Sequence, residues 1–276
     1  MGIKSPFISE IAPHTYAINE FGLSTMYLLT GTKRALLIDT GCGICNLQQT
    51  VKSMTDKPLQ VALTHGHFDH CSGMGCFEKV YLNEKDWELA KSISQAEVRE
   101  YADSFGNAGG YEAYEYSPGD VKEIKKFPQF LPLNDGDHFE LGGRSVEIYE
   151  IPGHTRGGIA FLDADNRIMI SGDCCNTNLL AQDSSVTDTL NALKKFRSLS
   201  PKFDRNFNGH VGFMGHPDCL SQPESVPDDL IHICEMILNG QGTPREYEFL
   251  GHTFTQMSYG CAKLSYDPGN TNRKLL

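Results

Sequence analysis

The chain has 276 residues, with 35 acidic and 24 basic side chains and a formal charge of −11. That length can bury the core of one large domain. The acidic balance argues against nucleic acid as a partner, because phosphate contacts need clustered Lys and Arg. No run approaches the ~18 apolar residues of a membrane span. Met1 to Glu10 also lacks the basic-then-apolar pattern of a secretory leader. The expected setting is therefore the cytoplasm and the expected partner a small-molecule substrate. The nine cysteines are odd in number and scattered, so free thiols are expected rather than a disulfide framework.

In chain order, Phe7 to Leu29 reads as strands, with Tyr16 and Ile18 and then Met26 and Leu28 in alternation. Gly31-Thr32-Lys33 makes a turn, and Ala35 to Ile38 is an apolar strand ending in Asp39-Thr40-Gly41. A carboxylate at the end of a buried strand is costly unless paired. Ile44, Leu47, Val51 and Met54 recur at helical spacing, and Leu59, Val61 and Leu63 follow as a short buried strand. At its end stands Thr64-His65-Gly66-His67-Phe68-Asp69-His70, with four potential metal donors in six positions. Alternation turns His65 and His67 the same way, toward one ion, and leaves Asp69 and His70 free to reach a second. Imidazole and carboxylate donors suit zinc, iron or manganese. The pair Cys42 and Cys45 reads as small buried residues beside a turn.

This string resembles the signature of the metallo-β-lactamase superfamily. The resemblance implies an α/β fold, a four-layer αββα sandwich, with a one- or two-metal site at the rim between its sheets. Three further landmarks of that family follow in order. Asp86 to Ile93 is expected to be helical. Tyr101, Phe105, Tyr111, Tyr114 and Tyr116 then alternate with glycines over 101–126, which suits a lid over a pocket or a surface excursion packing its own cluster. Strands at 139–141 and 146–149, joined by Gly142-Gly143, run into Ile151-Pro152-Gly153-His154-Thr155. A hairpin of 159–162 and 167–170 ends in Ser171-Gly172-Asp173. Ser185 and Asp188 form a capping box before a helix, and the stretch 203–208 leads to Gly209-His210. Pro227 opens a helix closed by Gly240, and two short strands near Phe249 and Ala262 precede a polar tail. With no repeat or linker, residues 1–276 are expected to form one domain, with a lid insertion around 95–126.

Carried over residue by residue, the resemblance assigns His65, His67 and His154 to a first metal. It assigns Asp69, His70 and His210 to a second, with Asp173 bridging. His216 competes for the last place, but the Gly-His context favours His210. Asp39 would support the ligand loop, and Thr64, Thr155 and Asp39 are the candidate acceptors that orient the histidines. Two divalent ions are implied, zinc foremost, with iron or manganese as alternatives. The implied chemistry is hydrolysis of an ester, thioester or lactone carbonyl by a metal-bridging hydroxide, with Asp69 and Asp173 as the catalytic carboxylates. Asp173 stands where the main β-lactamase subclass carries Cys, and His67 where the flavodiiron branch carries Glu. The order is most similar to the glyoxalase II and lactonase branch, although the C-terminal part lacks the basic residues that glutathione recognition would want. The alternative is a mononuclear iron persulfide dioxygenase, which keeps the same histidine string. A binding protein on this scaffold would be expected to have lost ligands, and none is lost.

Overall fold

The computed structural model describes residues 5–105, 118–181, 183–211, 220–249 and 252–272. The first seven strands are β1 (Phe7–Ala12), β2 (Thr15–Glu20), β3 (Ser24–Thr30), β4 (Ala35–Ile38), β5 (Leu59–Ala62), β6 (Lys79–Leu82) and β7 (Gln129–Pro132). They form one sheet in sequence order. β1 to β4 pair antiparallel through tight turns. From β4 onward the pairing is parallel, because each strand is reached by a crossover; the first runs through helix α1 (Leu47–Met54). A second sheet, β13-β11-β10-β9-β8, contains β8 (His138–Glu140), β9 (Ser145–Glu150), β10 (Ile159–Asp163), β11 (Ile168–Gly172) and β13 (Arg205–Asn208). Between β11 and β13 lie the short strand β12 (Asn178–Ala181) and helix α5 (Val186–Ser198). That helix starts at Ser185, whose hydroxyl oxygen accepts the Asp188 N–H at 3.1 Å.

The two sheets pack face to face. Tyr27, Leu29, Leu36 and Ile38 meet Phe139, Ile148, Phe161 and Ile170 across the interior. The alternate residues Leu28 and Leu37 point to the opposite face and pack with Leu47 and Val51 of α1. Both faces of β3 and β4 are thus buried, which is why β4 reads as a continuous apolar run; the alternation expected of β3 gives way to burial of every residue. Each such leucine removed from water contributes about 2 kcal/mol. The outer face of the second sheet is covered by α5 and by α6 (Val226–Leu238), through Phe196, Leu193, Leu230 and Ile233.

The sequence reading is corrected in four places. His67 caps a four-residue helix, α2 (Phe68–Cys71), where a loop was expected. The helix expected over 86–93 is a 3-10 turn at Glu84–Asp86 followed by α3 (Trp87–Lys91). β7 was not anticipated, because four residues of an edge strand carry little alternation. The C-terminal part holds three strands, β14 (Arg245–Phe249), β15 (His252–Tyr259) and β16 (Ala262–Tyr266), rather than two. With β12 they make a third sheet, β12-β16-β15-β14. Its parallel pairing of Asn178–Ala181 with Lys263–Tyr266 joins segments more than eighty residues apart, so nothing local announces it. The expected insertion begins with helix α4 (Gln95–Phe105); residues 106–117 of it lie outside the described residues. Among the described residues, no helix is long and apolar enough to cross a membrane.

Candidate metal centre

Four ligand segments converge at one rim of the sandwich because four strands end there. Asp39 follows β4 with a left-handed backbone, φ 64°. Its buried carboxylate accepts the Thr64 N–H at 2.7 Å and the Thr64 hydroxyl at 2.8 Å. It also pairs with His70 Nδ1 at 3.1 Å. The costly strand-end carboxylate is therefore fully paired, and it ties the His65 turn to α2. That helix begins at once after His67, so Asp69 and His70 fall on its first turn. The loops after β9, β11 and β13 bring in His154, Asp173 and His210.

His65, His67 and His154 present donor atoms within 4.8 Å of one another, and so do Asp69, His70 and His210. In the first group, His67 Nδ1 lies 2.8 Å from His154 Nε2. In the second, His70 Nε2 lies 3.3 Å from His210 Nε2. Each of those two nitrogens is 3.5 Å from Asp69 Oδ2. Asp173 Oδ2 stands between the groups, 3.0 Å from His210, 3.7 Å from His70 and 3.7 Å from His154. His216 lies outside the described residues.

Two buried atoms test whether these residues fit a cation. His65 Nε2 and Asp173 Oδ1 have no hydrogen-bond partner among the described residues. Buried polar atoms are almost always paired, so two orphans on residues of a cluster of imidazoles and carboxylates suit metal ions. The far sides of the rings support the same reading. His65 Nδ1 meets Thr64 Oγ1 at 3.0 Å, and His154 Nδ1 meets the Leu180 carbonyl at 2.6 Å. His210 Nδ1 meets the Leu23 carbonyl at 3.0 Å. Such partners hold the outer nitrogen protonated and leave the inner lone pair facing the centre. Thr155 was a candidate for this role, but its hydroxyl donates instead to Asp86 Oδ2 at 2.7 Å.

The two groups differ electrostatically. Burial, reinforced by the neighbouring imidazoles, pushes His65 well below its ordinary range, and His67 falls to about 3 for the same reasons. Burial also opposes protonation of His70 and His210, but the facing Asp69 and Asp173 outweigh it and raise both. Burial works against an ionised Asp69 too, yet His70 and His210 hold it at about 2. His65 and His67 are thus neutral donors, whereas His70 and His210 lie in a cradle of ionised Asp69 and Asp173.

Sequence reasoning missed two buried carboxylates. Asp86 accepts the Gly66 N–H at 3.0 Å and the Gly157 N–H at 2.8 Å, and so joins the His65 and His154 loops. Glu20 accepts the N–H groups of Cys42, Ile44 and Cys45 at 2.5, 2.8 and 2.7 Å, fixing the turn after Asp39. Neither has a local signature, since their partners lie twenty or more positions away. Cys42, Cys45, Cys71, Cys174 and Cys175 are buried free thiols, as expected. Gly209 has a packing reason: a Cβ there would lie 2.4 Å from His70 Cε1.

A family model described as the metallo-beta-lactamase superfamily matches residues 19–203. The chain belongs to that superfamily. The matched span holds Asp39 and every member of the site except His210, which lies just beyond it. The two-sheet sandwich with helices on its outer faces is accordingly the metallo-β-lactamase fold. A metallo-beta-lactamase from Pontibacter korlensis has the same fold, with a TM-score of 0.58 at 17% identity over 83% of this chain and 98% of that one. Among curated relatives, acyl-coenzyme A thioesterase MBLAC2 of Homo sapiens is 28% identical over 183 residues, covering 60% of this chain and 61% of the relative. An atrochrysone carboxyl ACP thioesterase of Emericella nidulans is 26% identical over 217 residues, covering 76% of this chain and 56% of the relative. The chain thus spans about three fifths of the length of the curated relatives it matches.

Proposed function

We propose that this metallo-β-lactamase superfamily member is a metal-dependent thioesterase with two divalent ions. His65, His67 and His154 would hold one, Asp69, His70 and His210 the other, and Asp173 both. The observation that carries the two-ion reading is the position of Asp173 Oδ2, at 3.7 Å from both His154 and His70, one in each donor group. Divalent ions, when bound, supply Lewis acidity that lowers the pKa of water and polarises a carbonyl. Zinc suits the donor set of imidazoles and carboxylates.

The residues themselves favour a thioester over an ester. Asp69, held at about 2, is ionised at neutral pH and serves as a hydrogen-bond acceptor that orients a water. An ionised carboxylate has no proton to give a departing alkoxide, which needs one as it leaves. A thiolate, with a parent pKa of about 8.5, departs with far less help. The thioesterase relatives support the same choice, and they do not favour persulfide oxygenation.

The test is metal content by elemental analysis together with a panel of acyl-coenzyme A thioesters, aryl esters and lactones. Two zinc ions per chain are expected, with thioesters the best substrates. Dialysis against a chelator should lower the rate by more than about a hundredfold, restored by added zinc. Turnover that persists in fully chelated protein, or a preference for oxygen esters across the panel, would overturn the reading.

A further inference from the structure

Helix α4 stands at the start of the expected insertion, yet one of its side chains reaches the metal centre. Tyr101 is buried, only 4% exposed. Its ring packs edge-on against Phe68 with centroids 5.3 Å apart, and against Phe105 at 5.2 Å. Phe68 directly precedes Asp69. Ring packing would account for an aromatic here, but not for its hydroxyl.

The hydroxyl donates to the carbonyl oxygen of Leu23 at 3.0 Å. That same oxygen meets His210 Nδ1, also at 3.0 Å. A carbonyl has two lone pairs and accepts both donors. Leu23 itself is held firmly in the turn between β2 and β3. Its N–H reaches the Glu20 carbonyl at 3.0 Å, and the Gly22 N–H reaches Asn19 Oδ1 at 2.6 Å. Asn19 Nδ2 and Thr25 Oγ1 donate to the Val211 carbonyl, at 2.8 and 2.7 Å, and so secure the residue after His210. The turn is therefore a fixed platform under the His210 ring. Burial pushes the Tyr101 hydroxyl well above its ordinary range, and the nearby Asp69 carboxylate adds to the rise.

We propose that Tyr101 is a positioning residue for the second metal subsite, orienting His210 through the shared Leu23 carbonyl. It reaches His210 through a single backbone oxygen, and among the described residues no such link runs to His65, His67 or His154. The first ion's site should not sense its loss. The same contacts couple the docking of α4 to the shape of the second subsite, so the insertion takes part in assembling the centre. This rests on the two-ion assignment proposed above.

The test is Tyr101→Phe, which keeps the ring packed on Phe68 and removes only the hydroxyl. Zinc stoichiometry and stepwise affinity are measured by competition with a chromophoric chelator on wild type and variant. Thermal unfolding of both metal-free proteins is measured alongside. The second dissociation constant is expected to rise about tenfold, within the range usual for partners that orient a ligand, while the first is unchanged. For a thioester substrate at limiting zinc, kcat should fall with KM unchanged. A rise of less than threefold in the second constant, in a wild type that does bind two ions, overturns the role of Tyr101 and leaves the two-ion reading standing. A wild type that binds one ion overturns both. An equal loss at both sites also overturns it, since that would mark a general effect on the fold.

Discussion

Replacing Asp173 by Asn is expected to leave a protein that binds one divalent ion in place of two and has lost more than about a hundredfold in kcat. The change keeps the size of the side chain but removes the negative charge that both ions would share. Two dications then repel one another with one anion fewer between them, so the more weakly held ion leaves first. The second subsite is the candidate for that loss. Its donors Asp69, His70 and His210 lie around a carboxylate that approaches His210 more closely, at 3.0 Å, than His154, at 3.7 Å. The first subsite keeps three imidazoles, with His65 and His67 already in neutral form. Elemental analysis of the purified variant and a thioesterase assay decide the matter. A variant that keeps two ions and nearly full rate would show that Asp173 does not bridge.

Asp39→Ala should have the largest effect on stability. The carboxylate takes three hydrogen bonds, from Thr64 N–H, the Thr64 hydroxyl and His70 Nδ1, all in a buried setting. Its removal strands these donors, and each buried unsatisfied group costs about 1–3 kcal/mol. A loss of about 3–5 kcal/mol is expected in urea unfolding of the metal-free protein, a large part of the 5–15 kcal/mol typical of a domain. The imidazole of His70 also loses the acceptor that fixes its tautomer, so second-ion affinity should fall together with stability. Asp39→Asn keeps the volume and one acceptor oxygen, and should lie between Ala and wild type. A change below about 1 kcal/mol for the alanine variant would mean that Thr64 and His70 find other partners.

The chemistry-bearing residues were legible because their types and spacing are local. Thr64 to His70 compresses four donors into one strand end, and Asp39, His154, Asp173 and His210 each close a strand whose apolar character is evident in the sequence. Strand β4 declared itself as buried on both faces through an unbroken apolar run. Family membership followed from the order of those landmarks and is borne out.

Beyond those of Asp39 and Thr64, the supporting contacts were not legible, since each joins residues far apart in the chain. Asp86 bridges Gly66 and Gly157, Glu20 holds the turn at Cys42 to Cys45, and the carbonyls of Leu23 and Leu180 orient His210 and His154. A backbone carbonyl has no residue type to betray it, and a lone Glu or Asp reads like any surface acid until the fold buries it. The third sheet was hidden for a related reason: β12 gains its partner only when the chain returns at Lys263, so its stability comes from a distant ladder rather than from its own four residues. The sequence by itself determined which residue types stand at the strand ends as candidate metal donors. The tertiary structure alone decided which of their nitrogens face the centre, because that choice belongs to hydrogen bonds made on the far side of each ring.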